Sequence, residues 1–493
     1  MAKDSIAPQS SLQLKLEIPP PVLVKTQNRG KGIERTLWRR QLSSQLVLLP
    51  PNLKPLLPKS HFVFFLISTI RDFDLSGILD KYENKTGIGR PAYDPIMLLT
   101  LILYCYCNGT TSGRGIERLC RESVPCRIIT GNQTPDHDTI ANYLTMHREQ
   151  FNSLFQQTLE LADRFGLAKL KHVSVDGSKI HANASKRKAM SYERMCEKVE
   201  KLPKVIAEAE AKIISLQING DDFTAAKEKE IRKEIKFQRK RLTKIKKAKK
   251  WLERRAKDKA RLEAKEKNQL LKQGHKIRKI PNPSEVLPEP KDQINFTDPD
   301  SRIMGHTGGE FQQSYNAQIA VDSHIQLIVA HHVVQQGNDK KLLEPMLAQV
   351  HARLGRHPDM ASADTGYFSE QAIQSESLSS IELLVPPDRE THPRTSLPGI
   401  GRMPKNISPA DRMRRKLSTT RGKELYAQRK CIVEPVYGQM KHSVFGFDQF
   451  SWRGLQNVQS EWALVCAAHN LCKLHRAVSK SPGMERSPAA AAA

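Results

Sequence analysis

Two runs of apolar residues within residues 190–280 constrain the fold of this chain most. Both runs step by three and four positions or by their sum, with Leu202, Ile206, Ala209, Ile213 and Leu216 in the first and Ile231, Ile235, Leu242, Ile245 and Leu252 in the second. This spacing gives a helix one apolar face. The segment Asn219-Gly220-Asp221-Asp222 between the runs is typical of a turn. We therefore predict a two-helix coiled-coil hairpin.

The second of these helices carries most of the positive charge. From Lys227 to Ile280 there are 24 lysines and arginines and seven aspartates and glutamates, an excess of 17 out of the net charge of +27 of the whole chain. Salt bridges along a helix need both signs, so they cannot explain a one-signed excess. We favour contact with a DNA backbone over a solvated spacer. For the whole chain, nucleic acid is a better match than a basic solvated surface or ribosome-like packing.

The rest of the C-terminal region follows one order of strands and helices once residues 185–300 are set aside. The order is a strand at Lys171–Lys179, a hairpin at Tyr315–Val321 and Gln326–Val334, a helix at Leu342–Leu354, a strand at Met360–Ala363, a short helix at Ser369–Ser375, a strand at Ile381–Val385, a basic loop at 388–420 and a helical region at Lys423–Val478. This is the element order of an RNase H-like fold, in which the first and fourth strands are neighbours. We predict such a core, of the α+β/α/β class.

Three acids stand where this core would bring them together. Asp176 ends the first strand, Asp364 follows the fourth, and Glu434 lies on the later helix. Phosphodiester attack adds negative charge to charged oxygens, and two divalent cations roughly 3.5–4 Å apart can stabilise it. Singly, the aspartates could be turn or cap residues and Glu434 a solvated helix residue. Their joint placement favours a site for two divalent cations, Mg²⁺ or Mn²⁺.

The N-terminal third differs in composition and in predicted secondary structure. Residues 1–60 are rich in Pro, Ser and Lys, which predicts a flexible leader. Helices are predicted at Ser68–Tyr82 and Ile96–Asn108, from Gly113, and after an acidic cap at Pro135–Thr139. With Arg90 in a loop and Arg114 on a helix, this region favours a helix-turn-helix-like DNA-binding unit. A small helical bundle of another purpose would give the same pattern.

The cysteines and the hydropathy bear on the compartment. The eight cysteines are scattered, without the spacing of a zinc site or a disulfide framework, which is typical of reduced thiols in a cytosolic protein. The sequence has no stretch of about 18 uninterrupted apolar residues, so it does not predict a membrane span. The first residues also lack a signal-peptide pattern.

Several segments resemble the DDE insertion-sequence transposases of bacteria and archaea, in the branch with a Tyr-Arg-Glu-Lys signature (the insertion-sequence eleven-eighty-two-like group). The similar segments are GRPAYDP (89–95), SGRGIERLC (112–120), TPDHDTI (134–140), VSVDGSKIHANAS (173–185), YNAQIAVD (315–322), GNDKKLLEPML (337–347), ADTGYFS (363–369) and YAQRKCIVEPVYGQMK (426–441). The last is the most specific. The resemblance implies that Asp176, Asp364 and Glu434 bind the metals, and that Arg429 and Lys441 contact DNA near the transposon end. It also makes Tyr426, the tyrosine of the signature, a candidate DNA contact.

The spacing around Glu434 leaves two points open. Four residues separate Arg429 from Glu434, so Lys430 is an alternative to the arginine. Pro435 would remove a hydrogen bond inside a helix, so Glu434 could lie at a kink or a helix start. Lys441 is seven residues beyond Glu434, about two α-helical turns, which predicts that the two share a face.

Together these patterns predict five regions. They are a flexible leader (1–60), a helical N-terminal DNA-binding domain (61–170), an RNase H-like DDE catalytic core (171–189 and 295–478), an inserted basic coiled-coil hairpin (190–280) and a disordered tail (479–493). The expected function is a cytoplasmic, nucleoid-associated transposase that cleaves and joins double-stranded DNA as a homo-oligomer. A nuclease of the same fold without strand transfer and a non-catalytic DNA-binding descendant of a transposase are the alternatives.

Overall fold

The structure, a computed structural model, describes residues 38–39, 52–83, 91–218, 222–272, 280, 282–306, 308–388 and 407–480. Most of the predicted leader, Arg90, residues 219–221 of the predicted turn and almost all of the predicted tail lie outside them. The chain divides into two compact units. The first comprises Met1–Ile102 and Gly113–Thr145, and the second comprises Leu103–Ser112 and Met146–Ala493.

The described residues form helices and strands in the following order. The helices are α1 (Phe62–Arg71), α2 (Ser76–Glu83), α3 (Pro95–Cys107), α4 (Gly113–Glu122), α5 (Val124–Thr130), α6 (His137–His147), α7 (Phe151–Arg164), α8 (Tyr192–Ile218), α9 (Asp222–Lys272), α10 (Leu343–Leu354), α11 (Glu370–Ile373), α12 (Pro409–Ser418), α13 (Thr420–Gly438) and α14 (Leu455–Ser479). The strands are β1 (Trp38–Arg39), β2 (Ala92–Tyr93), β3 (His172–His181), β4 (Ala189–Ser191), β5 (Gln293–Asn295), β6 (Arg302–Gly305), β7 (Phe311–Asp322), β8 (Leu327–Val334), β9 (Met360–Ala363) and β10 (Glu382–Leu384). None of the described helices combines the length and apolar character needed to cross a membrane.

Helix boundaries in the first unit follow their capping residues. The backbone N–H of Thr139 donates to Asp136 at 2.6 Å, so the predicted acidic cap of α6 forms. The helix predicted at Ser68–Tyr82 is two helices instead. Asp74 accepts a hydrogen bond from the backbone N–H of Ser76 at 3.0 Å, which starts α2 after a break. A capping aspartate overrides the continuous apolar spacing there.

The large sheet of the second unit has the strand order β10-β9-β3-β7-β6, with β8 also paired to β7. Strand β3 pairs parallel with β9 and antiparallel with β7. Strands β7 and β8 form the predicted antiparallel hairpin. The first and fourth strands of the predicted core, β3 and β9, are therefore neighbours, as the element order requires.

Helices cover the sheet and hold its polar groups. Helix α14 packs on β8 and α7, and α13 packs on β3, β7 and β9. The buried side chain of Asn470 on α14 bonds both the N–H and the carbonyl of Ile328 at 2.9 Å. Helix α12 lies where a basic loop was predicted. Its start is capped by Ser408, whose hydroxyl accepts from the backbone N–H of Asp411 at 3.0 Å.

The two long helices α8 and α9 pack along apolar clusters. Ile206 and Ile213 of α8 meet Ile235 of α9 in one cluster, and Leu202 meets Ile245 in the other. Strands β4 and β5 pair antiparallel where the chain enters and leaves this segment, which ties its two ends together. The predicted apolar faces are thus the packed ones. The supercoiled geometry of a coiled coil stays a prediction.

Candidate active site

Asp176 and Asp364 each follow one member of a residue pair on two neighbouring parallel strands. Val175 of β3 is in register with Ala363 of β9, and each is followed directly by one of the two aspartates. Asp176 was predicted at the end of its strand. It lies in the middle instead, because β3 continues to His181 along its antiparallel partner β7. The pairing of the two strands therefore brings these two acids together at the C-terminal end of β9.

In each of the two aspartates, one carboxylate oxygen accepts a hydrogen bond from a nearby backbone N–H. Oδ1 of Asp176 accepts from the N–H of Gly177 at 2.8 Å. Oδ1 of Asp364 accepts from the N–H of Gly366 at 2.9 Å and so caps the short 3-10 turn Thr365–Tyr367. Asp364 is therefore a cap residue, as the alternative interpretation predicted. A cap of this kind holds the carboxylate in one orientation without using its second oxygen.

Glu434 lies inside α13 rather than at its start. Pro435 is also within the helix, which continues to Gly438. The Glu434 side chain is 53% exposed, so it can turn toward a bound partner. The guanidinium of Arg429 lies between the acids, with Nη1 3.6 Å from Oδ2 of Asp176 and Nη2 3.6 Å from Oε1 of Glu434. Because Arg429 is 9% exposed and Lys430 is exposed, the arginine is the residue that faces the acids.

The environment of Asp176 disfavours its charged form. Burial, and to a smaller extent the negative charges of Asp364 and Asp339, raise the pKa of its carboxyl to about 6. The Gly177 N–H and the Arg429 guanidinium oppose this rise. A carboxylate in such a position gains more from a bound cation than an exposed one does.

Asp176→Asn is expected to stabilise the metal-free protein near neutral pH. The pKa of Asp176 is about 6 when folded and 3.8 in the reference state. The folded state therefore binds more protons between these values, and stability falls as pH rises through that window. Asparagine removes this penalty, which is about 2–3 kcal/mol well above the window. Urea unfolding in EDTA at pH 7.5 and pH 4.5 measures it.

The gain should shrink at the lower pH, where the wild-type carboxyl is mostly protonated. Glu370→Gln on α11, an exposed acid, is the matched control and should change stability little at either pH. A variant that is no more stable than the wild type at pH 7.5 would show that the Asp176 environment is not strained.

Asp339 is a fourth acid of this region that the sequence patterns did not single out. Its side chain is 13% exposed, and its Oδ2 lies 3.7 Å from Nζ of Lys179. Its Oδ1 accepts from Nδ2 of Asn316 at 2.6 Å and from Nε2 of Gln318 at 2.9 Å. The only sequence signal was its place in the segment 337–347, which resembles the motif after the hairpin. Nothing in that motif indicated proximity to Asp176.

Tyr437 anchors α13 to the strand that carries Asp176. Its hydroxyl lies 3.0 Å from the carbonyl oxygen of Asp176 and 2.7 Å from that of Ala317, within hydrogen-bond distance of both. The side chain is buried. Tyr437 is three residues beyond Glu434 on the same helix, so this contact fixes where Glu434 lies along β3.

Lys441 lies near the acids, although not by the predicted spacing. The segment Gln439–Ser443 is a π-helical turn, so two regular α-helical turns do not connect Glu434 to Lys441. Its Nζ donates to the carbonyl of Lys179 at 3.0 Å. Burial lowers the pKa of Lys441, and the charge of Asp176 opposes that shift.

Of the other predicted DNA contacts, Tyr426 lies beside Arg429 and Arg114 lies in the first unit. The Tyr426 ring lies under the Arg429 guanidinium, with the ring centroid 5.9 Å from Cζ. Arg114 is exposed on α4 in the first unit, where Glu117 and His137 join α4 to α6 through a 2.8 Å side-chain bond. Arg90 lies outside the described residues.

The acids fit divalent cations in their chemistry. Among the residues that the structure describes, no three His, Cys, Asp or Glu side chains converge as a ready-made metal cluster. Asp176 nevertheless sits near Asp364 and Asp339 with a pKa raised by burial and by their charge, and carboxylate oxygens are the ligands that Mg²⁺ prefers. Arg429 provides positive charge between Asp176 and Glu434.

Comparison with known proteins places two domain types on the chain. Residues 287–471 match the family described as transposase DDE domain, and residues 51–145 match the family described as transposase domain DUF772. Neither a curated protein nor a solved structure matched. The DDE domain implies an RNase H-like core, which agrees with the sheet order. The matched range contains Asp364 and Glu434 but not Asp176, because β3 precedes the inserted helices.

Proposed function

We propose that this chain, parts of which match two transposase domain families, binds the ends of a mobile DNA element and cleaves and joins DNA there. The observation that carries the proposal is the register of β3 with β9, which makes Asp176 and Asp364 neighbours across a long insertion. It agrees with the DDE domain match and with the net charge of +27. The two reactions are hydrolysis at the element end and attack of the freed 3′-hydroxyl on target DNA. In each, one O–P bond forms as another breaks.

Asp176, Asp364 and Glu434 are the proposed holders of two divalent cations, Mg²⁺ or Mn²⁺. Bound cations would lower the pKa of the attacking water or hydroxyl group. They would also neutralise the negative charge that develops on the leaving oxygen. The chain supplies the orientation. Hydrogen bonds from the backbone N–H groups of Gly177 and Gly366 orient the two aspartates.

Arg429 and Lys441 are the proposed phosphate contacts at the site, with Tyr426 beside the arginine. Arg429 is buried, and its Nη atoms are too far from their carboxylates for hydrogen bonds. A DNA phosphate would give the guanidinium the close bidentate partner that it lacks in this arrangement. Arg114 and Arg90 belong to the helical unit that we propose recognises the terminal repeats.

The basic helix α9 is the proposed second DNA contact. Between Ile235 and Leu252 the sequence holds nine lysines and arginines and no acid. Ile235, Ile245 and Leu252 face α8, so the basic side chains mostly point outward. Lys240, Lys244 and Lys247 are all exposed, and their spacing puts them on one face. An acid-free face cannot neutralise itself, which favours a polyanion as its partner.

Replacing Lys240, Lys244 and Lys247 together by glutamine is expected to weaken binding to unrelated DNA duplexes equally. The slope of log affinity against log salt should fall by about 0.9 for each phosphate that is no longer neutralised. Fluorescence anisotropy at several salt concentrations measures both effects. The matched control replaces the same lysines by arginine, which keeps the charge. A glutamine variant with an unchanged salt slope would assign α9 to a spacer.

A joining assay tests the complete function against its two alternatives. Duplexes bearing inverted repeats from the DNA that flanks the gene are incubated with a supercoiled plasmid and Mg²⁺. Strand transfer predicts covalent joining of duplex to plasmid. Cleavage without joined product would identify a nuclease, and binding without cleavage would identify a non-catalytic DNA-binding protein.

A further inference from the structure

A buried amide joins the two segments that flank Asp176. Gln318 of β7 lies opposite Gly177 of β3 in the sheet register. Its Nε2 donates to Oδ1 of Asp339 at 2.9 Å, and its Oε1 accepts from the hydroxyl of Tyr367. Tyr367 ends the short turn that Asp364 caps. One side chain therefore connects the Asp364 turn with the loop that carries Asp339.

This connection depends on the glycine after Asp176. A Cβ at position 177 would lie 2.0 Å from Nε2 and 2.8 Å from Cδ of Gln318, so the Gln318 side chain would have to move. Glycine at this position therefore leaves Gln318 in its hydrogen-bonded place, through close approach rather than through its own backbone angles. Because Gly177 has no side chain, the Gln318 side chain has room to reach across β3 beside Asp176.

The hydrogen bonds of Asp339 do not need its negative charge. Its Oδ1 accepts from two amides, Asn316 and Gln318, and an asparagine carbonyl oxygen could accept the same two. Its Oδ2 lies 3.7 Å from Nζ of Lys179, beyond hydrogen-bond range. A carboxylate that is 13% exposed, with only this long ion pair and with hydrogen bonds that an amide could also make, is poorly explained by folding stability.

A second observation, on Arg429, points to a ligand that binds beside Asp176. Arg429 is 9% exposed and directs its guanidinium at Asp176 from 3.6 Å, beyond hydrogen-bond range. Its buried Nε has no hydrogen-bond partner among the described residues. Acids with excess negative charge beside an incompletely paired arginine fit the joint binding of a cation and a phosphate.

We propose that Asp339 is a fourth acid of the catalytic site, and that Gln318 is the positioning residue that fixes it and the Asp364 turn on either side of Asp176. The inference rests on the proposed function and names residues other than Asp176, Asp364 and Glu434. Asp339 increases the affinity of the site for a divalent cation. Gln318 acts through Asp339 and Tyr367.

Calorimetric titration of the full chain with Mn²⁺ tests the proposal. Asp339→Asn and Gln318→Leu are each expected to weaken Mn²⁺ binding by at least about tenfold. Asp339→Asn should leave the melting temperature in EDTA unchanged or raise it, because it removes the repulsion from Asp176 together with the long 3.7 Å ion pair to Lys179. A merely structural role for Asp339 predicts a lower melting temperature and unchanged Mn²⁺ affinity, and that result would overturn the inference.

Two further variants separate the possible failures. Asp298→Asn replaces a buried acid that bonds the Tyr315 hydroxyl at 2.9 Å, and it should lower the melting temperature while Mn²⁺ affinity stays unchanged. Asp176→Asn is the reference for the site. If it weakens Mn²⁺ binding while Asp339→Asn and Gln318→Leu do not, only this inference fails. If Asp176→Asn also has no effect, the proposed catalytic site fails with it.

Discussion

Asp176→Asn and Asp364→Asn are each expected to abolish Mg²⁺-dependent DNA cleavage, by more than about a thousandfold, while DNA affinity changes little. The two carboxylates follow paired residues on neighbouring parallel strands, so each variant removes a charge from the same small region. An amide is a weaker cation ligand than a carboxylate and does not offset the charge of a metal–phosphate complex. Cleavage of terminal-repeat duplexes and anisotropy with the same duplexes provide the two readouts.

Glu370→Gln is the control for this experiment. It removes an exposed acid six residues beyond Asp364 and should cleave like the wild type. Loss of cleavage through misfolding is a separable outcome, since Asp176→Asn is expected to be more stable than the wild type in EDTA. Wild-type cleavage by either aspartate variant would remove that residue from the site.

Arg429→Leu is expected to destabilise the metal-free protein by about 3 kcal/mol. The guanidinium is buried and lies 3.6 Å from oxygens of both Asp176 and Glu434. Its loss leaves Asp176 beside the charges of Asp364 and Asp339 with less compensation. Mg²⁺ should recover part of the lost stability, because a cation can replace the missing positive charge. Urea unfolding in EDTA and in Mg²⁺ measures both parts.

Lys430→Leu is the matched control, because it removes a neighbouring positive charge from an exposed position of the same helix. We expect a change of less than about 0.5 kcal/mol for it. Equal losses from the two variants would mean that the burial of Arg429 is not what stabilises the acids. A larger loss for Lys430→Leu would transfer the role to the lysine, the alternative that the spacing left open.

The order of strands and helices in the core was predictable because each element shows its own period. Alternation at Tyr315–Val321 and the apolar run at Gln326–Val334 predicted the hairpin that β7 and β8 form. The strand predicted at Met360–Ala363 has the same bounds as β9. Local periodicity is a property of neighbouring residues, so it can be read without the fold.

The departures arise where distant residues meet. Asp176 was predicted at a strand end from the local β-rich run, whereas pairing with β7 carries β3 on to His181. Lys441 was placed by α-helical spacing, whereas the segment Gln439–Ser443 adopts a π-helical turn. Neither the partner strand nor the widened turn has a signature in the adjacent sequence.

The amino-acid sequence by itself determined the element order, the concentration of positive charge in one inserted segment, and which acids end up near paired strands. These follow from periodicity, composition and strand order. The tertiary structure alone decided that Arg429 rather than Lys430 faces Asp176, that Gly177 makes room for Gln318, and that Asp339 joins the acids. Those three outcomes depend on side-chain contacts between segments far apart in the chain, and such contacts exist only once the sheet has formed.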